Sequence, residues 1–262
     1  MKKAAVLGPK GTYSDLALDE YNKVSEIKYE PYYISSMLKL KNIIDDVDIA
    51  ILPVENTIDG IILESLDIII ENKLKIVYEL KEKIDFSYVG KDPDKVKKVY
   101  AQFKTYAQCL DFISKYNFDI IKTDSNTESL NLYLNNQEYG AIIPTHLVTG
   151  DSIDNVADKK ENETKFAIVQ KEFANKKFLE YNVSVLITSL EDRSGILFEI
   201  LREFHDYDIN LNSIMSRPLK TKIGQYNFYI ECKISANDLY KLERLKNNLE
   251  KKFKVEIIGI YN

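Results

Sequence analysis

Histidine and cysteine are scarce in this chain of 262 residues: it has His146 and His205, and Cys109 and Cys232. No Cys/His spacing resembles a zinc site, and two distant cysteines make no disulfide framework. A histidine-centred triad would have to use one of two candidates, and neither has a G-x-S-x-G partner. Long apolar runs are also missing. The longest, Ile58 to Ile70, is interrupted by Asp59, Glu64 and Asp67 and falls short of a membrane span. After Met1-Lys2-Lys3 the apolar run is too short for a signal peptide, so a cytoplasmic location is expected. Positive charge is not in excess: 36 Lys and Arg against 41 Asp and Glu give a net charge of −5. A nucleic-acid partner is therefore not expected. Chemistry without metal, disulfide or histidine relay is the expectation.

What is present is ordinary globular material, with 45% apolar residues. At about 150 residues per domain, the length predicts two domains. The first half alternates strand and helix signals. Strands are expected at Lys3–Leu7, Asp48–Val54, Lys75–Leu80, Phe86–Val89, Phe118–Ile121, Gly140–Ile143 and Thr164–Val169. Helices are expected at Ser14–Tyr21, from about Ile58 to Glu71, and at Tyr106–Lys115 and Thr127–Asn135. Short apolar strands between helices argue for a largely parallel α/β sheet. The pattern changes near Ala174-Asn-Lys-Lys177. From there strands at Tyr181–Ile187, Asn210–Ser216, Gln225–Lys233 and Lys254–Ile260 and helices at Ser194–Asp206 and Ala236–Lys251 give the order βαββαβ. That is the ferredoxin-like arrangement.

Three segments of the first half share one plan: a strand ends, small polar residues turn, and a helix begins. They are Gly8-Pro-Lys-Gly-Thr-Tyr-Ser14, Pro53-Val-Glu-Asn-Thr-Ile-Asp-Gly60 and Thr123-Asp-Ser-Asn-Thr-Glu128. The first lacks P-loop spacing. Thr12 or Ser14, Thr57, and Ser125 with Glu128 at capping-box spacing are the candidate caps. Any one turn is explained by capping alone. Three of them facing one crevice beyond the strand ends would suit a small acidic ligand, because helix N-termini present unpaired N–H groups and a positive dipole end. Glu55 beside Asn56, after a buried strand, is either a surface turn residue or a site carboxylate. His146 reads as a turn or helix-cap residue, His205 as a cation complementing a helix C-terminus, and the two cysteines as packed apolar residues.

Taken together, these motifs resemble those of the prephenate dehydratases. Gly8-Pro-Lys-Gly-Thr-Tyr-Ser14 is similar to G-P-x-G-T-[YF]-S, and Leu52-Pro-Val-Glu-Asn-Thr-Ile-Asp-Gly60 to V-P-[VI]-E-N-S-x-x-G. Asn162-Glu-Thr-Lys-Phe166 resembles N-x-T-R-F, and Tyr106-Ala-Gln-Cys109 the end of H-P-Q-A-L-x-Q-C. The last part resembles an ACT regulatory domain. There Arg193-Ser-Gly-Ile-Leu-Phe198 is similar to R-x-G-A-L-x, and Ile209-Asn-Leu-Asn-Ser-Ile-Met-Ser-Arg-Pro218 to I-N-L-T-x-I-E-S-R-P.

The resemblance implies a two-lobed α/β catalytic domain, built like a periplasmic binding protein, over residues 1–178. Lobe one would be 1–75 with 159–178, and an inserted lobe two would be 76–158. A βαββαβ ACT domain would follow at 179–262. It further implies conversion of prephenate to phenylpyruvate, water and CO2 in phenylalanine biosynthesis, with L-phenylalanine as allosteric effector and a homodimer or homotetramer as the assembly. Thr164, Glu55 and Asn56 would be catalytic, with Thr164 assisting the leaving hydroxyl. Gly11, Thr12, Tyr13, Ser14, Thr57, Ser125, Asn126, Lys165 and Phe166 would bind substrate. Gly195, Ile196, Leu197, Asn210, Leu211, Ser216, Arg217 and Pro218 would bind the effector. No metal and no cofactor is implied.

The chain departs from the family pattern at several positions. Lys165 stands in place of arginine, which keeps the charge and loses the planar fork. Gln102-Phe-Lys104 replaces H-P-Q, the histidine of I-x-H-x-L-L is absent at Asp85-Phe-Ser-Tyr88, and Met215 replaces the glutamate of E-S-R-P. The H-P-Q loss and the Arg-to-Lys change favour one alternative, a non-catalytic amino-acid-sensing or ligand-binding protein. A related enzymatic alternative is a prephenate decarboxylase that does not aromatise the ring.

Overall fold

The computed structural model describes residues 2–174, 177–191, 193–219 and 225–262. The composition change at Asn175 and Lys176 lies outside these residues. In chain order the strands are β1 (Lys2–Leu7), β2 (Tyr29–Ile34), β3 (Ile49–Asn56), β4 (Gly60–Ile61), β5 (Lys75–Lys83), β6 (Phe86–Val89) and β7 (Lys98–Gln102). They continue with β8 (Asp119–Thr123), β9 (Gly140–Pro144), β10 (Glu163–Gln170), β11 (Glu180–Ser189), β12 (Leu211–Pro218), β13 (Tyr226–Ser235) and β14 (Lys254–Tyr261). The helices are α1 (Tyr13–Val24), α2 (Leu40–Ile43), α3 (Leu63–Glu71), α4 (Phe103–Ala107), α5 (Leu110–Tyr116), α6 (Asn126–Asn135), α7 (Ile196–Asp206) and α8 (Leu239–Leu249). The chain divides into two compact units, residues 1–66 with 80–166 and residues 67–79 with 167–262.

The first unit holds two α/β lobes. In one, the strand order is β2-β1-β3-β10, with β1 parallel to both β2 and β3. Ala4, Ala5, Val6, Ile49, Ala50, Ile51 and Leu52 are all buried, as a sheet covered on both faces requires. In the other lobe the order is β6-β9-β7-β8. There β7 is parallel to β8 and β9, while β6 runs antiparallel to β9, so this sheet is mixed. Its core packs Phe86, Tyr88, Val99, Cys109, Ile113, Phe118 and Ile142. Tyr88 stacks on Phe118 with centroids 5.6 Å apart.

Three local departures from the expected elements have clear causes. The helix expected from Ile58 begins at Leu63, because Asn56 Oδ1 accepts from the Ile58 and Asp59 N–H groups and Gly60–Ile61 folds back onto Glu55–Asn56. The helix expected over Tyr106–Lys115 is two, α4 and α5, broken at Gln108–Cys109. Strands β2 and β7 complete the two sheets. Strand β2 carries Pro31 and a mostly exposed face, a pattern tolerated at an edge.

In the second unit β11, α7, β12, β13, α8 and β14 form a βαββαβ module. Its sheet order is β12-β13-β11-β14, and β11 is antiparallel to both neighbours. Ile200 and Phe204 of α7 and Leu242, Leu245 and Leu249 of α8 pack on Val183, Val185, Ile187 and Ile230. Residues 67–79 group here because β14 pairs with β5 at Gly259 and Ile76, Lys75 pairs with Glu256, and Arg217 with Asp67.

Candidate active site

Strand ends and helix starts converge in the first unit around a cavity of about 380 Å³. Helix α1 enters it through the Gly8–Ser14 turn. Gly11 has φ +87°, and a Cβ there would meet Leu147 at 3.0 Å, so a side chain is disfavoured both by conformation and by space. Thr12 caps α1: its hydroxyl donates to the Leu7 carbonyl and accepts from the Asp15 N–H. Ser125 caps α6, accepting from the Glu128 N–H at 3.1 Å, while Glu128 reaches back to the Asp124 N–H at 2.7 Å. Gln102 caps α4 by accepting from the Lys104 and Thr105 N–H groups.

Of the expected site residues, Thr12, Tyr13, Ser14, Asn56, Ser125, Asn126, Thr164 and Phe166 line the cavity together. Tyr13 is held by its hydroxyl, which donates to the Asp85 carbonyl and accepts from the Asp85 N–H. Burial pushes this phenol up, so it stays neutral. The Ser14 hydroxyl has no protein partner among the described residues. Thr164 is buried, and its oxygen accepts a hydrogen bond from Asn56 Nδ2 at 2.9 Å.

Four expected substrate or catalytic residues are not among those lining the cavity. Glu55 and Lys165 pair with each other at 3.0 Å. Successive strand residues point to opposite faces, so the turn from Thr164 to Lys165, like that from Asn56 to Glu55, carries the side chain away from the cavity. In the structure Lys165 thus engages Glu55 and is not among the residues lining the cavity. Thr57 bonds Glu163, donating to its carbonyl and accepting its N–H. Gly11 shapes the turn, and its carbonyl accepts from His146 Nε2.

Sequence reasoning did not assign Ser35, Asp59, Gln102, Lys104, Thr105, Gln108 and Asp124 to the lining. Among the described lining residues Lys104 alone carries a positive charge. Asn162, behind the lining, is 1% exposed and links Asn56 to Gln108. Both Gln108 and Asn162 lie inside quoted motifs, and that position was the available signal. His146 packs edge-on against Tyr13 with centroids 4.9 Å apart, and burial holds its pKa below the ordinary value. Cys109 and Cys232 are buried, and burial pushes the Cys232 thiol up to about 12. Neither is a nucleophile in this environment. Among the described residues there is no cluster of three His, Cys, Asp or Glu side chains able to hold a metal, and no helix is long and apolar enough to cross a membrane.

The expected effector residues lie at the α7 start, at Asn210 just before β12, and on β12. Gly195 precedes α7 with φ +87° and open space around it. Ile196 is a core residue, Leu197 is 42% exposed, Asn210 is exposed, and Leu211 packs against the module's core. Ser216 and Pro218 are exposed, whereas Arg217 is half-buried and donates to Asp67 at 2.5 Å. Arg193 bonds Glu199 through both terminal nitrogens and bonds Glu191, tying the loop before α7 to its first turn.

Two α/β lobes around a cavity rich in hydroxyls and amides, with a βαββαβ module in the same chain, define an α/β enzyme for a small anion that carries an ACT-type module. The prephenate dehydratase family model matches residues 4–174, and the ACT domain model residues 184–247. Prephenate dehydratase of Methanocaldococcus jannaschii is 30% identical, over 96% of this chain and 94% of that protein. The solved prephenate dehydratase of Staphylococcus aureus is 28% identical with a TM-score of 0.84, covering 100% of both chains. That of Arthrobacter aurescens, solved in complex with L-Phe, has the same fold with a TM-score of 0.79 at 23% identity, covering 99% and 89%. The chain belongs to the prephenate dehydratase family and is an ACT-bearing prephenate dehydratase.

Proposed function

We propose that the cavity binds prephenate and that Thr164 donates a hydrogen bond, and then the proton, to the departing ring hydroxyl. One observation carries this reading. Asn56 Nδ2 has no lone pair available to accept, so its 2.9 Å contact makes the Thr164 oxygen an acceptor and leaves the hydroxyl proton to point elsewhere. Thr164 lines the cavity, and that proton is its free donor. As the C–O bond breaks, its electrons leave with the hydroxyl, which departs as water. The C–C bond to the ring carboxylate breaks to release CO2, and its electrons complete the aromatic ring of phenylpyruvate. The Asn56 N–H stabilises negative charge developing on the Thr164 oxygen, which regains its proton from solvent to complete the cycle. Aromatisation supplies much of the driving force, so positioning and a well-aimed donor suffice.

Prephenate is a dicarboxylate. In this proposal Lys104, the N-terminal amides of α1 and α6, and the Ser14, Ser125 and Asn126 side chains hold its anionic groups. Phe166 packs against the ring. Glu55 and Lys165 act through their ion pair, which fixes the ends of β3 and β10 behind Asn56 and Thr164. The catalytic domain in this reading is residues 1–178, with lobes 1–75 plus 159–178 and 76–158, and the ACT domain is 179–262.

The same reading has L-phenylalanine bind at the start of α7 and at β12 of a cytoplasmic homodimer or homotetramer. Support comes from the Gly195 turn, the exposed Leu197 and Asn210, and the L-Phe complex of the Arthrobacter aurescens relative. Incubation with prephenate tests the chemistry. Phenylpyruvate is the expected product, read by its absorbance in alkali. A decarboxylated, non-aromatic product would refute the dehydration step.

A further inference from the structure

The hydrogen-bond directions behind the cavity form a chain that begins at backbone N–H groups and so has a defined polarity. Asn56 accepts from the Ile58 and Asp59 N–H groups at 2.9 and 3.1 Å, which fixes that end of its amide as oxygen. Its nitrogen therefore faces Thr164 Oγ1 and Asn162, each at 2.9 Å. The Asn162 atom it meets is then Oδ1, since a donor needs an acceptor. That turns Asn162 Nδ2 toward Gln108, where it donates to Oε1 at 3.0 Å. Gln108 is left with Nε2, which has no protein partner among the described residues, on a side chain that lines the cavity.

We propose that Asn162 is a positioning residue for the dehydration: it fixes the Gln108 amide so that its N–H2 end, not its carbonyl, faces the substrate. The proposal rests on the reading of the cavity as the prephenate site. Asn162 is well placed for this. It is 1% exposed, it is not among the lining residues, and its own carbonyl is held by the Ile84 N–H at 2.8 Å. Two ends of one relay thus present donors to the cavity, Thr164 O–H and Gln108 N–H. The two carboxylates of a dianionic substrate, and the oxygen of the hydroxyl it loses, are acceptors for such donors. An inverted Gln108 amide would instead set a carbonyl oxygen against a carboxylate or the departing hydroxyl.

The test is Asn162→Asp, a change of nearly the same shape. The carboxylate still accepts from Asn56 but cannot donate to Gln108, which must turn its nitrogen to Asp and its oxygen to the cavity. With wild-type turnover of prephenate measured first, kcat/KM of the variant at pH 8 is expected to fall about tenfold or more, as for loss of a hydrogen bond to a charged group. The ratio of variant to wild type should then rise as pH falls toward 5, because a protonated aspartic acid regains an O–H donor for Gln108. Asn162→Ala, which cannot titrate, should show a flat ratio. Gln108→Glu leaves the buried position untouched and still accepts from Asn162. It should raise KM for prephenate about tenfold and recover at low pH in the same way. A flat ratio for Asn162→Asp, or an unchanged KM for Gln108→Glu, overturns the proposal. An inactive wild type fails the dehydratase reading instead, and the two failures are thereby distinguished.

Discussion

Replacing Thr164 by valine removes one hydroxyl and keeps the branched shape of the side chain. Its structural cost is small, because Asn56 Nδ2 retains two acceptors, Asn162 Oδ1 at 2.9 Å and the Glu163 carbonyl at 3.1 Å. Loss of one such hydrogen bond is worth about 1 kcal/mol, a shift of roughly 2–4 °C in melting temperature for a unit of this size. The kinetic cost is larger if the hydroxyl gives its proton to the leaving group. A positioned general acid contributes about 10²–10⁴-fold, or roughly 3–5 kcal/mol of barrier. Valine at 164 should therefore lower kcat by two to four decades while KM and melting temperature change little. Serine, which keeps the O–H, should retain most of the activity. The assay is initial-rate formation of phenylpyruvate at saturating prephenate, with melting followed in parallel. A Thr164→Val enzyme within about threefold of wild-type kcat would refute the role of the hydroxyl, because no general-acid term is that small.

Lys104→Met removes the positive charge of the described cavity lining. It should raise KM for prephenate by roughly 5–30-fold, the equivalent of about 1–2 kcal/mol for a solvent-screened charge contact, and should weaken the salt dependence of kcat/KM. An unchanged KM would place the substrate carboxylates elsewhere. His146 gives a pH signature in stability. Burial holds its folded pKa below the ordinary 6.5, so its contribution is fully present above that value and is lost as pH falls through the lower folded pKa. His146→Gln retains an N–H for the Gly11 carbonyl and cannot titrate, so its melting temperature should fall less between pH 7 and pH 5 than that of wild type. Parallel curves would remove His146 from the acid sensitivity.

Much of the architecture is legible in the chain because buried strands are apolar throughout. Ile49–Leu52 and Phe166–Val169 announce themselves that way. Strand β2 does not, since an edge strand with Pro31 and exposed Tyr32 and Tyr33 lacks both alternation and an apolar run. The α3 start was hidden for another reason. The apolar residues after Ile58 look helical, but Asn56 captures the Ile58 and Asp59 N–H groups first. A local side-chain bond thus overrides periodicity. At the site, motif position pointed to Thr164, Asn56 and Ser125, all of which reach the cavity. Glu55 and Lys165, neighbours in sequence of Asn56 and Thr164, pair with each other outside that lining, as the two-residue period of a strand sends neighbours to opposite faces. Asn162 and Gln108 were in view as letters of motifs. Their link is a contact over 54 positions that no local pattern encodes.

The rate of phenylpyruvate formation from prephenate, measured on the whole chain while L-phenylalanine is titrated, tests the central claim most directly. The account predicts product in proportion to enzyme, with a rate that falls as L-phenylalanine rises. No phenylpyruvate at any enzyme concentration would contradict the catalytic assignment, and a rate indifferent to L-phenylalanine would contradict the regulatory one.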